Sequence, residues 1–224
     1  MFYEDRYYRQ FVETWRRIAV RFREDPRLYG YDLVNEPEQK HIARHSYLHC
    51  QLAAARAIRE VDRVTPIIVS APGFGSPAGF KDLSPIRMDN VIYQTHCYLP
   101  LEFTHQGVGG DMREGLVTYP NPERGWDREY VRRSLQPVLE FSRRHNAKIY
   151  VGEFSAVGWA PGADAYIRDC IAIFNEYGWD WCYHAFREWD GWSVEHSWDA
   201  GTRRMLPSDG NPRMEALVNG FKKK

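Results

Sequence analysis

Apolar positions along this chain follow two rhythms, and the two alternate. Phe11, Trp15, Ile18, Ala19 and Phe22 recur at helical spacing and predict an amphipathic helix that ends near Asp25-Pro26. Leu28 to Asn35 then reads as a strand, closed by Glu36. Leu48, Leu52, Ala55 and Ile58 form the next helical stripe. Pro66-Ile67-Ile68-Val69-Ser70-Ala71 has the continuous apolar character of a strand covered on both faces, and Val91 to His96 predicts another. After a long loop rich in Gly and Pro, Asp127 is placed to cap a helix through about His145, kinked at Pro137. Lys148 to Glu153 is the fourth strand. Tyr166, Ile167, Cys170, Ile171 and Phe174 give the following helix, stopped by Gly178, and Trp181 to Arg187 is the fifth strand. The last helix, Pro212 to Phe221, ends in three lysines, whose charge suits a helix C-terminus.

Buried strands alternating with amphipathic helices imply parallel βα units, so the fold class is α/β, of the (β/α)8 TIM-barrel type. No repeat and no linker interrupts the pattern, and residues 1–224 read as a single domain. A full barrel takes eight strands in about 250 residues. Five are read here, which predicts a partial, N-terminally incomplete barrel. An arc of five strands would leave an open sheet edge through which the chain could self-associate.

Composition narrows the function classes. Apolar residues are 43% and charged residues 27%, ordinary for a globular protein. The formal net charge is zero, so neither nucleic acid nor a membrane surface has electrostatic support as a partner. No apolar stretch reaches the length of a membrane span. Met1 runs directly into Phe2-Tyr3-Glu4-Asp5-Arg6, with no signal peptide to read, and the compartment stays open. The four cysteines, Cys50, Cys97, Cys170 and Cys182, lack Cys-x-x-Cys spacing and read as buried free thiols, with no metal and no cofactor expected. The unusual feature is the aromatic share of 15%, with eight Trp and fourteen Tyr, a surplus that fits a groove where sugar rings stack.

The candidate chemistry lies at strand ends. Glu36 closes Tyr29-Gly30-Tyr31-Asp32-Leu33-Val34-Asn35-Glu36-Pro37, and Glu153 closes Ile149-Tyr150-Val151-Gly152-Glu153-Phe154. Carboxylates at the ends of buried strands are costly to desolvate, so two of them point to paired acid/base and nucleophile work. The alternative is that each merely closes its strand against an arginine. In a (β/α) barrel the reacting groups come from the C-terminal ends of several strands. Asn35 and Glu36, His96 and Tyr98, Glu153, and the stretch Arg187-Glu188-Trp189 all occupy such ends.

With Asn35-Glu36-Pro37 after one strand, His96-Cys97-Tyr98 after another and Gly152-Glu153-Phe154 after a third, the chain resembles the retaining glycoside hydrolases of family five, the cellulase family, within the clan of (β/α)8 glycosidases. The resemblance extends through the aromatic segment Trp181 to Trp192 and implies that the strands correspond to about strands 4 to 8 of the barrel. It implies hydrolysis of a β-1,4-linked polysaccharide, cellulose, another β-glucan or mannan, by double displacement. Glu36 would be the general acid/base and Glu153 the nucleophile. Asn35 would bind the sugar 2-hydroxyl, His96 and Tyr98 would tune the pair with Tyr98 donating to the nucleophile, and Trp189 would be the aromatic platform. A polysaccharide or oligosaccharide is then the partner, and secretion or a periplasmic location is implied by resemblance alone. Two further readings stay open: a non-catalytic remnant that at most binds sugar, and a transglycosylase built from the same residues.

Other signals are less telling. His41, His45 and His49 are spaced to share a helix face, but no carboxylate or Cys completes a metal set, and a solvated or groove-lining face is the reading. Gly73 to Gly79 has glycines after a strand, yet Pro77 intervenes and no helix follows at once, so it reads as an ordinary βα loop. His184 and Glu188 fit a catalytic role, a strand-end ion pair or a substrate hydrogen bond equally, and Trp159, Trp192 and Trp198 either stack sugars or close loops.

Overall fold

The computed structural model describes residues 1–109 and 116–222. In chain order the elements are α1 (Asp5–Phe22), β1 (Tyr31–Asp32), α2 (Tyr47–Arg59), β2 (Ile67–Ser70), β3 (Val91–Cys97), α3 (Leu101–Thr104), α4 (Arg128–Ser134), α5 (Gln136–His145), β4 (Lys148–Phe154), α6 (Ala163–Glu176), β5 (Asp180–Trp181), β6 (His196–Asp199), β7 (Arg204–Pro207) and α7 (Pro212–Lys222). The first five strands make one sheet in the order β1-β2-β3-β4-β5, while β6 and β7 form a separate antiparallel hairpin. Strands β1 and β3 flank β2 in parallel, with Ile67 opposite both Tyr31 and Val91. A sheet whose spatial order equals its sequence order is what successive crossovers of one hand produce. Two compact units divide the chain: Met1–Thr95 with Glu140–Tyr150, and His96–Leu139 with Val151–Lys224.

In the first unit, β2 is buried along its whole length, as its unbroken apolar run requires. Helix α1 packs on α2. The Trp15 indole donates to the Leu33 carbonyl at 3.2 Å and meets Tyr31 edge-on. Polar groups that this packing buries find one another. Gln51 bonds the Ser70 backbone in both directions, at 2.9 and 3.1 Å, and Gln94 donates to Ser70 Oγ at 2.8 Å. These pairs tie the ends of β2 and β3 to α2, and Gln94 also reaches Asp32 on β1 at 3.4 Å. Below them the turn after α2 is pinned by Asp62, which accepts from the backbone of Val64 and Thr65, each at 3.0 Å, and from the Tyr31 hydroxyl at 2.9 Å. Of the three evenly spaced histidines, His41 lies outside any helix, because α2 starts only at Tyr47. His45 and His49 instead stack with Tyr8, and His45 pairs with Asp5 at 2.8 Å.

In the second unit the core is the inner face of α6 against β4. Tyr166, Ile167, Cys170, Ile173 and Phe174 are fully buried, as are Val151 and Phe154. The Phe154 ring is met edge-on by Phe174, Trp181 and Tyr183. Gly162, at φ +87°, opens α6; a Cβ there would sit 1.7 Å from the Tyr119 carbonyl oxygen, so the helix start and residue 119 can meet only at glycine. Helix α7 closes the unit against α6, with Phe221 stacked on Trp181 at 5.0 Å.

Several elements differ from the sequence expectation. The strand expected over 28–35 is formally only Tyr31–Asp32, although its ladder continues with Leu33 N–H donating to the Ile68 carbonyl at 3.2 Å. The strand expected over 181–187 is Asp180–Trp181. Beyond it Cys182 and His184 still donate to the β4 carbonyls of Val151 and Phe154, and then Arg187, at φ +54°, turns the chain away. The single kinked helix expected after Asp127 is two, broken at Leu135, with Pro137 in the first turn of α5 where its missing N–H costs nothing. A 3₁₀ turn, Pro77–Lys81 capped by Ser76, follows the glycine loop directly. Cys182 is exposed, unlike the other three cysteines.

Asp62 generates a stability prediction. Burial pushes its carboxyl up, but hydrogen bonds from Thr65, Val64 and Tyr31 overcome that and hold it at about 2, below the ordinary 3.8. A depressed carboxyl stabilises the fold above its unfolded value and loses that contribution as pH falls through the folded value. Asp62→Asn should therefore destabilise the chain by on the order of 2 kcal/mol near neutral pH. Urea unfolding of both proteins should show the gap closing between about pH 4 and pH 2; a gap independent of pH would mean the charge of Asp62 is not what the turn uses.

Candidate active site

Strand β4 buries Val151 and Phe154 and carries Glu153 between them, on the same face as Val151 and opposite to Phe154. Its carboxylate keeps about a fifth of its side chain exposed, at 19%. Two groups from the end of β3 reach it. The Tyr98 hydroxyl donates to Glu153 Oε2 at 2.8 Å, and His96 Nδ1 lies 3.6 Å from the same oxygen. His96 is itself buried, with 3% exposure, so it reaches the carboxylate from within the core rather than from solvent.

The Tyr98 ring is held in a nest of aromatic groups. His105 lies 4.9 Å away edge-on, Trp192 at 6.2 Å and His184 at 6.3 Å. Trp192 also packs on His105 at 5.0 Å. Backbone positions here are fixed from both sides. Thr104 Oγ1 donates to the Tyr98 carbonyl, and the buried Tyr166 hydroxyl donates to the carbonyls of Cys97 and Leu99 at 3.1 and 3.2 Å. Burial holds the His105 imidazole below its ordinary range; the neighbouring His184 adds to this, and the Glu153 charge opposes it. His105 is thus a neutral ring, and Thr104 Oγ1 is 2.9 Å from its Nδ1.

The loop holding Trp192 depends on a buried cation. Arg213, at 5% exposure, donates to the carbonyls of Ala156, Trp192, Ser193 and His196 over 2.8 to 3.4 Å. Tyr183 donates to the same Trp192 carbonyl at 2.8 Å and accepts from Ser155, two residues beyond Glu153, at 3.0 Å. The arrangement needs Gly158, where a Cβ would meet Arg213 at 2.6 Å. Trp189 lies one ring further out, 5.6 Å from both Trp192 and Trp159 and 41% exposed. It folds back over Gly191, where a Cβ would strike the indole at 2.5 Å. Trp159 continues the line to Trp198 on the hairpin, at 5.7 Å.

In the first unit, Asn35 and Glu36 follow β1, with Asn35 exposed and Glu36 partly so. Glu36 has φ +48°, a left-handed backbone that costs a side-chain-bearing residue energy and concentrates at functional positions. Of the residues singled out in the sequence, the second unit thus brings His96, Tyr98 and Glu153 into contact, and sets Trp189 in an outer aromatic layer. Trp192, His105 and Arg213 gave no comparable sequence signal. Trp192 was one of three tryptophans left open, and a buried arginine that donates to backbone carbonyls has no acidic partner to find by spacing.

Residues 2–190 match the model of the cellulase family, glycosyl hydrolase family 5. Endoglucanase C of Acetivibrio thermocellus is 26% identical over 196 residues, which are 75% of this chain and 57% of that protein. The chain therefore spans somewhat more than half the length of that curated relative. Among solved structures, Cel5A of Thermotoga maritima in complex with cellobiose is 23% identical with a TM-score of 0.77, covering 95% of this chain and 67% of that one. The same protein in complex with mannotriose gives 23% and a TM-score of 0.76 over the same shares. At this identity the likeness is one of fold, and it makes the five-stranded sheet part of a (β/α)8 barrel.

One consequence of the Tyr98 nest can be measured directly. Because the Glu153 charge opposes the other influences on His105, Glu153→Gln should move the His105 titration further below the ordinary histidine range. Imidazole NMR across the acid range reads this midpoint. An unchanged or raised midpoint would show that Glu153 does not act on this ring.

Proposed function

Because the chain belongs to the cellulase family, glycosyl hydrolase family 5, we propose that it is a retaining glycosidase acting on a β-1,4-linked glucan or mannan. The observation that carries the reading is the Tyr98 hydroxyl on Glu153 Oε2 at 2.8 Å, at the end of a buried parallel strand. A phenol donating to a carboxylate favours its ionised form, which is what a nucleophile needs. Cel5A of Thermotoga maritima, solved with cellobiose and with mannotriose, supports including both glucans and mannans.

The mechanism uses the two glutamates in turn. Glu153 attacks the anomeric carbon as Glu36 gives its proton to the departing glycosidic oxygen; the C–O bond to the leaving sugar breaks and an ester to Glu153 forms. Glu36, now a carboxylate, takes a proton from water. That water attacks the same carbon, the ester bond breaks, and the sugar leaves with its original anomeric configuration. Such a division requires carboxyl groups about 5 Å apart with opposite protonation states. Asn35 would hold the 2-hydroxyl, and the ring of Trp189, 41% exposed, would bear a sugar face. His96, buried against the carboxylate, would keep Glu153 from rotating away from the sugar.

Glu153→Gln should lower turnover by several orders of magnitude with the fold intact, since no other group can form the ester. A 2-fluoro cellobioside should label Glu153; a label on any other residue, or an inverted product, sinks the assignment. Glu36→Ala should spare activated aryl cellobiosides far more than cellooligosaccharides, because only the latter need a proton to leave. Azide should then restore turnover by replacing the water that Glu36 activates. Equal losses on both substrates without rescue would remove Glu36 from the chemistry.

A further inference from the structure

Strand β6 of the hairpin, the loop before α6 and the start of α7 border a cavity of about 210 Å³, all of it within the second unit. At about 30 Å³ per water it holds several waters, or one ring of hexose size. Trp198, Asp164, Asn211 and Pro212 are among the residues that line it. They stand at the surface: Pro212 is exposed, the other three are partly so, and 28% of the Asp164 side chain is open to solvent.

Two polar atoms of these residues are uncommitted. Trp198 Nε1 and Asp164 Oδ1 bond nothing among the described residues, and neither is a buried atom. The indole can only donate and the carboxylate oxygen can only accept. A ligand that matches both must give and take hydrogen bonds while presenting an apolar face to an indole. It must also be uncharged. Asp164 is already paired with Arg168 through Oδ2, and Arg213, which borders the same cavity, donates to four carbonyls. A sugar ring, with hydroxyls at its rim and C–H groups on its faces, has this chemistry.

Indoles join the cavity to the aromatic layer outside Glu153. Trp159 packs on Trp189 at 5.6 Å and on Trp198 at 5.7 Å, so the exposed Trp189 and the hairpin tryptophan are two ring contacts apart. Trp159 itself is 8% exposed, and its Nε1 donates to the Gln106 carbonyl at 2.7 Å, so it sets the spacing and leaves sugar contact to its neighbours. The hairpin is fixed at its base as well. Asn211 Nδ2 donates to the carbonyls of Val194 and His196 at 2.6 and 3.3 Å. A Cβ on Gly158 would strike Met205, the register partner of Trp198, at 2.3 Å, so the hairpin sits directly on that loop. A site built on such a base is preformed, and binding does not have to order it first.

We propose that this cavity is an accessory subsite for one sugar unit of the polysaccharide, with Trp198 bearing the ring and Asp164 accepting from a hydroxyl. Resting on the glycosidase reading, it gives the chain a preference for long substrates. An oligosaccharide that extends past Trp189 gains the hairpin contact, and a disaccharide beside Glu153 does not.

The test compares hydrolysis of an aryl cellobioside and of a long cellooligosaccharide, or their mannan counterparts, by the unaltered chain, Trp198→Ala and Asp164→Ala, each checked for folding by circular dichroism. Trp198→Ala should raise KM for the long substrate about tenfold, the size of one ring contact with its hydrogen bond, and leave kcat and the aryl cellobioside unaffected. Asp164→Ala, which keeps the ring, should raise the same KM about threefold. An unchanged KM on the long substrate, or a rise shared equally by the aryl cellobioside, overturns the proposal. A second readout is binding alone. In Glu153→Gln, which leaves the sugar uncut, the indole N–H resonance of Trp198 should shift as the long cellooligosaccharide is added, and a resonance unmoved at the highest soluble concentration also overturns it. A chain that cuts neither series loses the glycosidase reading, while the Trp198 resonance decides the hairpin site by itself.

Discussion

The hydrogen bond from Tyr98 to Glu153 sets the demand that the surrounding structure meets. A carboxylate at the end of a buried strand carries a desolvation penalty, and one well-placed donor offsets part of it only if that donor cannot drift. Tyr98 follows β3 directly. Its carbonyl and those of its two neighbours are taken over by side chains, Thr104 on one side and Tyr166 on the other. Tyr166 is fully buried on α6, and burial pushes its phenol well above the ordinary range, so it stays a donor at any pH the fold survives. The helix that covers β4 thus also fixes the phenol that serves β4's carboxylate.

Arg213 solves a related problem by different means. A buried guanidinium is costly, and burial draws its proton affinity down. It donates to four carbonyl oxygens, on loops 155–158 and 192–196, which offer partial charges in a fixed array, and the Tyr183 phenol lies beside it. A carboxylate would neutralise the cation more fully, yet it could not bridge two loops at once. The five donors of arginine can, and lysine's three on a single nitrogen cannot span the same carbonyls. Through this clamp the last helix, remote in sequence, determines where Trp192 lies against Tyr98 and His105. The hairpin β6–β7 enters the same clamp through His196, so its role is to carry the Trp192 loop as much as to present Trp198.

What the sequence revealed follows from which signals are local. Long apolar runs such as Ile67–Ser70 and Val91–Cys97 have one structural use at that length, and the alternation of strand and helix was legible in order. The ends of β1 and β5 were not, because a strand's formal end depends on its partner's ladder and on single residues such as Arg187 that leave it. The hairpin escaped notice since His196–Asp199 mixes polar and aromatic residues without alternation, and is only partly buried on every residue. Within the candidate site, the polar residues flanking apolar runs stood out, His96, Tyr98 and Glu153 among them. Trp192, His105 and Arg213 did not, because each acquires its meaning from contacts with residues remote in sequence, such as His105 to Trp192 and Arg213 to Ala156.

Glu36 shows the opposite economy, a local distortion held by structure around it. A left-handed backbone at a glutamate costs on the order of 1–3 kcal/mol, which glycine at the same position would avoid. The chain keeps the carboxylate and carries the strain. It can do so because the residues just before it are firmly fixed: Leu33 is 3% exposed, donates to β2, and its carbonyl accepts from Trp15, while Pro37 beyond it is buried with its φ set by the ring. The proline draws the residue before it toward extended backbone, so the left-handed turn at residue 36 is strain that its fixed neighbours on either side must hold. The turn sets the direction in which the side chain leaves the backbone. In the proposed chemistry Glu36 must first give a proton and then take one at nearly the same point in space. A side chain that leaves a held backbone position keeps its carboxyl near that point for both steps, and glycine at the same position, though relaxed, would bring no carboxyl at all.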